Sequence, residues 1–438
     1  MVRVQHLAVG LIGWALVVGL AAGCTAEDGS QSSSDRSPSA APSGASDDES
    51  FQPTDDDRAA IRALLEARAT ALSDGDREAF MATVDRVNGD LVHQQQLLFD
   101  NLQKLPVAEI SYTVDDGAGF VAAEVEGDDP VFRPRVFEQV RLNIDELPVT
   151  NIIENTFVRR GQGWLLGAES KPGEHETDHE AQWRPWAGAV PLAVARSGSL
   201  LVVVDRRRNE FGPALAREMV GYIRFAARAL GVDPSYDVLV DATTVGDPIG
   251  VSTVDGEQAA AATLTVTHFG VDDEEDPRYA GTRIKVNPDQ ADRVVSDTQV
   301  MRHELTHFLT VRRLAAAPIW VTEGLAEWVS TAPSTLGELV ITDASVIEDA
   351  LAAPHRLPTD GRWGQDPTTD YLVARAAISH VVESFGVAKV FEMGRAYARI
   401  AGDDPDQKSD RALRRVLGIT EAQLVTATWE ALATLRRG

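Results

Sequence analysis

Apolar positions recur along this chain with two periods. In DDDRAAIRALLEARATALSDGDREAFMATVD, from residue 55, Ile61, Leu64, Leu65, Ala69 and Leu72 form one helical stripe. Ser73-Asp74-Gly75-Asp76 interrupts it before a second amphipathic helix. AEISYTVDD, FVAAEVEG, FRPRVFEQVRLNI, NTFVRR and GWLLGAE then supply short runs rich in Val, Phe, Tyr and Ile, separated by Gly, Asp and Pro. They read as antiparallel strands, and helices followed by a curved sheet make an α+β unit. Further on, SLLVVVD, YDVLVD, ATLTVTHF and TRIKVNP read as strands, with EFGPALAREMVGYIRFAARALG as a helix between the first two. The remainder, including TDYLVARAAISHVVESFGVAKVFEMGRAYARI and a last helix ending in TWEALATLRR, is helical.

At 438 residues the chain exceeds one ordinary core. Its start, MVRVQH followed by LAVGLIGWALVVGLAA, has the charged head and short apolar run of a secretion signal, too short for a comfortable span. Residues 20–24, LAAGC, resemble a bacterial lipobox, whose cysteine becomes lipid-modified; Ala21 stands where that motif prefers Leu. The resemblance implies a lipid on Cys24, membrane attachment through it on the extracytoplasmic face, and a secreted protein if the lipid is not added. Residues 25–54, mostly Ser, Asp, Pro, Gly and Ala, cannot offset the entropy of ordering and read as a tether. The expected layout is therefore a signal at 1–24, a tether at 25–54, an α+β unit at 55–172, a linker at 173–185 and a second unit at 186–438. Cys24 is the only cysteine, so no disulfide forms within the chain. A net charge of −26 opposes phosphate backbones and argues against a nucleic-acid partner.

The phrases ALSDGDREAFMATV and RRGQGWLLGAE resemble the cone-shaped domains of the nuclear transport factor two and ketosteroid isomerase superfamily, over residues 55 to 170. Some relatives are enzymes with an acid inside the cone, for which His93, Asp85 and Asp90 are the available residues. Polar residues near helix ends are more often solvated, so the expected role is a scaffold or binding unit.

Two stretches match the pattern HExxH, which sets two imidazoles one helical turn apart with a carboxylate between them. HETDH, residues 175–179, is flanked by Pro172, Gly173, Glu174, Asp178 and Glu180, with nothing to pack a rigid helix. It reads as acidic linker, with Trp183 and Trp186 opening the next unit. HELTH, residues 303–307, lies in SDTQVMRHELTHFLTVRRLAAAP, where Val300, Leu305, Phe308, Leu309 and Val311 give apolar faces. Ser296 or Asp297 can cap that helix and Pro318 stops it. His303 and His307 are four residues apart, about 400° of rotation, so both rings leave one side, with Glu304 displaced by about 100°. The next helix, PIWVTEGLAEWVS, carries Glu323 and Glu327 on one face, Glu323 being 323 − 307 = 16 residues past the second His.

HELTH followed by WVTEGLAEW resembles the gluzincins, the thermolysin-like zinc metallopeptidases of clan MA. That resemblance implies a compact metallopeptidase domain with Zn2+ held by His303, His307 and Glu323, Glu304 as general base, and Glu327 fixing a ligand histidine from behind. It also implies an oxyanion-stabilising residue, with Tyr371 ahead of His380, and a peptide or protein substrate laid along the edge strand of a mostly antiparallel sheet, for which TRIKVNP is the expected strand. His355 and His380 are otherwise read as structural or solvated, and His268 ends a strand with no role assigned. A lipid-anchored binding protein built on a degenerate peptidase fold is the rival expectation, opposed by the intact Glu304.

Overall fold

The structure is a computed structural model that describes residues 53–115, 125–126, 129–169, 183–244, 259–271, 277–338, 344–402 and 404–435. The signal, Cys24, nearly all of the tether and HETDH lie outside the described residues. The architecture is α+β, with two sheets and helices on both units.

The first unit opens with helices α1 (Asp55–Asp74), α2 (Arg77–Ala82) and α3 (Gly89–Leu102). Thr54 starts α1 through a capping box with Asp57, and Gly75, at φ 70°, closes it in the left-handed region. Asp76 and Asn88 cap the next two helices with their side chains. Six strands follow: β1 (Val107–Val114), β2 (Val125–Glu126), β3 (Asp129–Phe132), β4 (Arg135–Leu142), β5 (Val149–Arg160) and β6 (Gly163–Glu169). They make an antiparallel sheet of order β1-β4-β5-β3-β2, with β6 also on β5. Ile61, Leu65, Phe80 and Leu98 of the helices are buried against Val136, Ile153 and Phe157 of the sheet.

The second unit begins with β7 (Leu192–Ser197) and β8 (Leu200–Asp205), an antiparallel hairpin turning at Gly198, which has φ 64°. Helix α4 (Phe211–Leu230) leads to β9 (Leu239–Ala242), followed by β10 (Ala261–His268) and β11 (Arg278–Val286). The sheet order is β10-β11-β9-β8-β7. Its outer pairs are antiparallel and its inner pairs, β8–β9 and β9–β11, are parallel. Two expectations are corrected by this order. The sheet is mixed rather than mostly antiparallel, and TRIKVNP, within β11, is an interior strand. Its residues Arg283, Ile284 and Lys285 pair with β9 on one side and with β10 on the other. One edge of the sheet is β10, which has no second neighbour among the described residues.

Strand β8 explains why its sequence, LLVVVD, is continuously apolar. Leu200, Val202 and Val204 face a core shared with α4, while Leu201 and Val203 face the core of the first unit together with Leu239, Val266 and Ala280. A strand covered on both faces loses its polar alternation. Between the units Trp186 is fully buried and Arg184 reaches Glu138 and Glu169, so the end of the expected linker, residues 183–185, is packed rather than loose.

The rest is helical: α5 (Ala291–Ser296), α6 (Thr298–Leu314), α7 (Ile319–Thr331), α8 (Ala344–Ala352), α9 (Pro367–Phe385), α10 (Val387–Arg399), α11 (Pro405–Leu417) and α12 (Glu421–Leu435). Among the described residues no helix is long and apolar enough to cross a membrane.

Candidate metal centre

Helix α6 carries HELTH. Asp297 starts it by accepting from the backbone N–H of Gln299 at 2.9 Å, and Val300, Met301 and Leu305 anchor its apolar face at zero exposure. Helix α7 begins after Pro318, with the Asp360 side chain accepting from Ile319 N–H. It packs closely against α9 because residue 324 is glycine: a Cβ there would stand 2.4 Å from the carbonyl oxygen of Ala374. Helix α6 also packs along α7, and Glu323 of α7 faces the histidines of α6 there.

At that junction His303, His307 and Glu323 converge, exposed by only 2%, 6% and 0%. Nε2 of His303 lies 3.1 Å from Nε2 of His307 and 3.2 Å from Oε2 of Glu323, and His307 Nε2 is 3.4 Å from that same oxygen. Behind His303, Oε1 of Glu327 sits 2.9 Å from Nδ1. Glu327 accepts a hydrogen bond from Nδ1–H, so that in the neutral ring the Nε2 lone pair points at the other two groups.

Three lone-pair donors facing one another in a dry pocket repel unless a cation joins them. Neither oxygen of Glu323 has a hydrogen-bond partner, although both are buried. Burial pulls the His303 pKa down, yet Glu323 and Glu327 outweigh it and raise it well above the usual imidazole range. Burial pushes the Glu323 carboxyl up, and the two imidazoles hold it below its ordinary value. The pocket thus calls for positive charge. A tetrahedral ion bound at about 2.0–2.1 Å has ligand–ligand edges of about 3.3–3.4 Å, close to the three spacings observed. The residues fit a metal ion.

Glu304 is 2% exposed beside this cluster, and Thr263 Oγ1 of β10 donates to its Oε2 at 2.7 Å. Burial raises its pKa, opposed by His303, His307 and Thr263, and the net direction is upward. Tyr371, in the first turns of α9, is 4% exposed, and its ring meets His303 edge-on with centroids 6.1 Å apart. Burial, then the charges of Glu323, Glu327 and Glu304, keep its phenol well above its ordinary pKa, so it is a hydrogen-bond donor at neutral pH. His303, His307, Glu323, Glu327, Glu304 and Tyr371 are therefore in one place, and His380, the other oxyanion candidate, is not.

The other histidines and acids are not. His380 packs on Phe385, His355 on Trp429, and His268 Nδ1 lies 2.9 Å from the carbonyl oxygen of Pro148. In the first unit, Asp85 binds Arg160, while His93 and Asp90 are exposed.

Three residues had no local signature. Thr263 reaches Glu304 from a strand 41 positions away. Trp363 stacks edge-on against Tyr371, centroids 4.9 Å apart, from a loop whose only hint was an aromatic among Gly and Asp. Arg375 of α9 is 3% exposed and donates to the Glu327 carbonyl and to the Thr331 hydroxyl, tying the end of α7 down.

No protein-family model matches the chain, and no curated protein and no solved structure is detectably similar to it.

Proposed function

We propose that this chain is a zinc-dependent metallopeptidase of gluzincin type, acting outside the cytoplasm and tethered to the membrane by a lipid on Cys24. The observation that carries the reading is the convergence of the fully buried Glu323 carboxylate, which has no hydrogen-bond donor, on two imidazole nitrogens, with Glu304 beside them. Two imidazoles and one carboxylate form a donor set that suits catalytic zinc. Bound there, zinc would acidify a water and polarise a substrate carbonyl.

The chain's own residues supply the rest. His303, His307 and Glu323 would hold the ion, and Glu327 keeps His303 in the tautomer that can bind it. Glu304 accepts a proton from the attacking water and later delivers it to the leaving amine, a task its raised pKa favours. Tyr371 donates its hydroxyl proton toward the substrate oxygen as negative charge grows there. The open side of β10 would receive an extended peptide by strand addition.

The test is hydrolysis of a denatured, unspecific protein by the full chain, with a chelated control. Parent protein is expected to cleave and chelated protein not to. Glu304→Gln should lower turnover by at least about 10³-fold while keeping its metal. Equal turnover in the Gln variant would remove Glu304 from the mechanism.

A further inference from the structure

The general base is held by a residue outside both zinc helices. Thr263 lies in β10, is 5% exposed, and is fixed by antiparallel pairing with Ile284 of β11. Its Oγ1 stands 2.7 Å from Glu304 Oε2 and 2.9 Å from the backbone carbonyl oxygen of the same residue. A hydroxyl has one proton, and an ionised carboxylate is the stronger acceptor, so the resting proton goes to Oε2.

We propose that Thr263 is a positioning residue for Glu304: its hydroxyl pins Oε2, fixes the plane of the carboxylate, and leaves Oε1 to receive the proton of the attacking water. The proposal rests on the hydrolytic reading of the centre. Two consequences follow from the geometry. When the carboxyl carries a proton, the hydroxyl turns its own proton to the carbonyl 2.9 Å away, so Thr263 stays satisfied at both stages. In addition, the strand whose free edge would hold the substrate backbone also holds the base, so base and scissile bond take their positions from one element.

Valine has nearly the shape of threonine without the donor, and it leaves a buried carboxylate oxygen unpaired. Full-length Thr263→Val and Thr263→Ser are compared with the parent for kcat, KM, zinc content and the crystallographic position of Glu304. In Thr263→Val, kcat should fall about 10–100-fold with KM within about twofold. Zinc should remain at one per chain, and the Glu304 carboxylate should rotate away from the place it holds in the parent. Thr263→Ser should recover most of kcat and restore the carboxylate. Adding Thr263→Val to Glu304→Gln should cost nothing further, because the variant acts through the base. An unchanged Glu304 position in Thr263→Val, or additive losses in the double variant, would overturn the proposal. So would equal losses of zinc and thermal stability in the Val and Ser variants, since a merely structural strand contact would behave that way. A parent that binds zinc and cleaves nothing would defeat the hydrolytic reading, while the crystal structures would still decide whether Thr263 places Glu304.

Discussion

A neutral imidazole offers one lone pair, and a carboxylate 2.9 Å from Nδ1 of His303 decides which nitrogen carries it. Much of the centre's chemistry is set by such contacts between single groups. Tyr371→Phe removes one donor while keeping the ring that packs on His303 and Trp363. Its kcat should fall about 10²-fold with metal content unchanged, checked by steady-state kinetics beside metal analysis. Away from the centre, Asp406 accepts from the backbone N–H of Asp360, the residue that caps α7. Burial first, then the charge of Asp360, raises the Asp406 pKa to about 6. A folded-state pKa above the unfolded value means that the stability tied to this proton is present at low pH and is lost as pH rises through about 6. Asp406→Asn keeps an acceptor and removes the charge. It should raise Tm by about 1–3 °C at pH 7.5 and give no gain at pH 4, measured by calorimetry, a small effect because the group is half solvated. At this scale helical spacing put His303 with His307 on one face and Glu323 with Glu327 on another, while the joining of these faces and the place of Glu304 came from the resemblance to the gluzincins. Thr263 was not legible, since its role comes from a contact 41 positions away that no local pattern encodes.

Helices α6, α7, α9 and α10 meet through glycines at two crossings. A Cβ at Gly324 would meet the Ala374 carbonyl, and one at Gly394 would stand 2.4 Å from the carbonyl oxygen of Arg313. Backbone cannot swing aside as a side chain can, so Gly324→Ala should destabilise by about 1–3 kcal/mol. It should also weaken metal binding by moving Glu323 on α7 away from the histidines on α6. Denaturant unfolding and a zinc titration check both, and an Ala variant with parental stability would contradict the close crossing. Helices α6 and α7 were readable because caps, stops and apolar faces are local. Strand order was not. TRIKVNP and ATLTVTHF are both β-branched runs, and which of them borders the sheet depends on β9 inserting beside β11 in parallel. The first hairpin strand, β7, escaped notice because LAVARS is half-buried and too short to stand out.

Across the whole molecule the two units share one apolar core, in which Val136 and Ile153 of the first sheet join Leu201, Val203 and Leu239 of the second. A buried ion pair spans the same junction, Arg283 of β11 gripping Asp145 with Nη1–Oδ1 at 2.7 Å and Nη2–Oδ2 at 2.8 Å. The first unit therefore serves as a platform for the sheet that carries β10. Calorimetry of the metal-loaded chain should show one cooperative transition, and two separated peaks would contradict the shared core. Arg283→Met strands Asp145 without its partner and should cost about 3–5 kcal/mol, lowering that single transition as a whole. The packing of Trp183, Arg184 and Trp186 between the units was not legible in the sequence, because a linker's partners lie elsewhere in the chain.

The central claim is that His303, His307 and Glu323 together bind one zinc ion. Elemental analysis of the purified full-length chain after dialysis measures it directly. The parent and Glu304→Gln should each retain about one zinc per chain, while His303→Ala and Glu323→Ala should retain almost none. A parent without zinc, or a Glu323→Ala variant that holds zinc as firmly as the parent, would contradict the account.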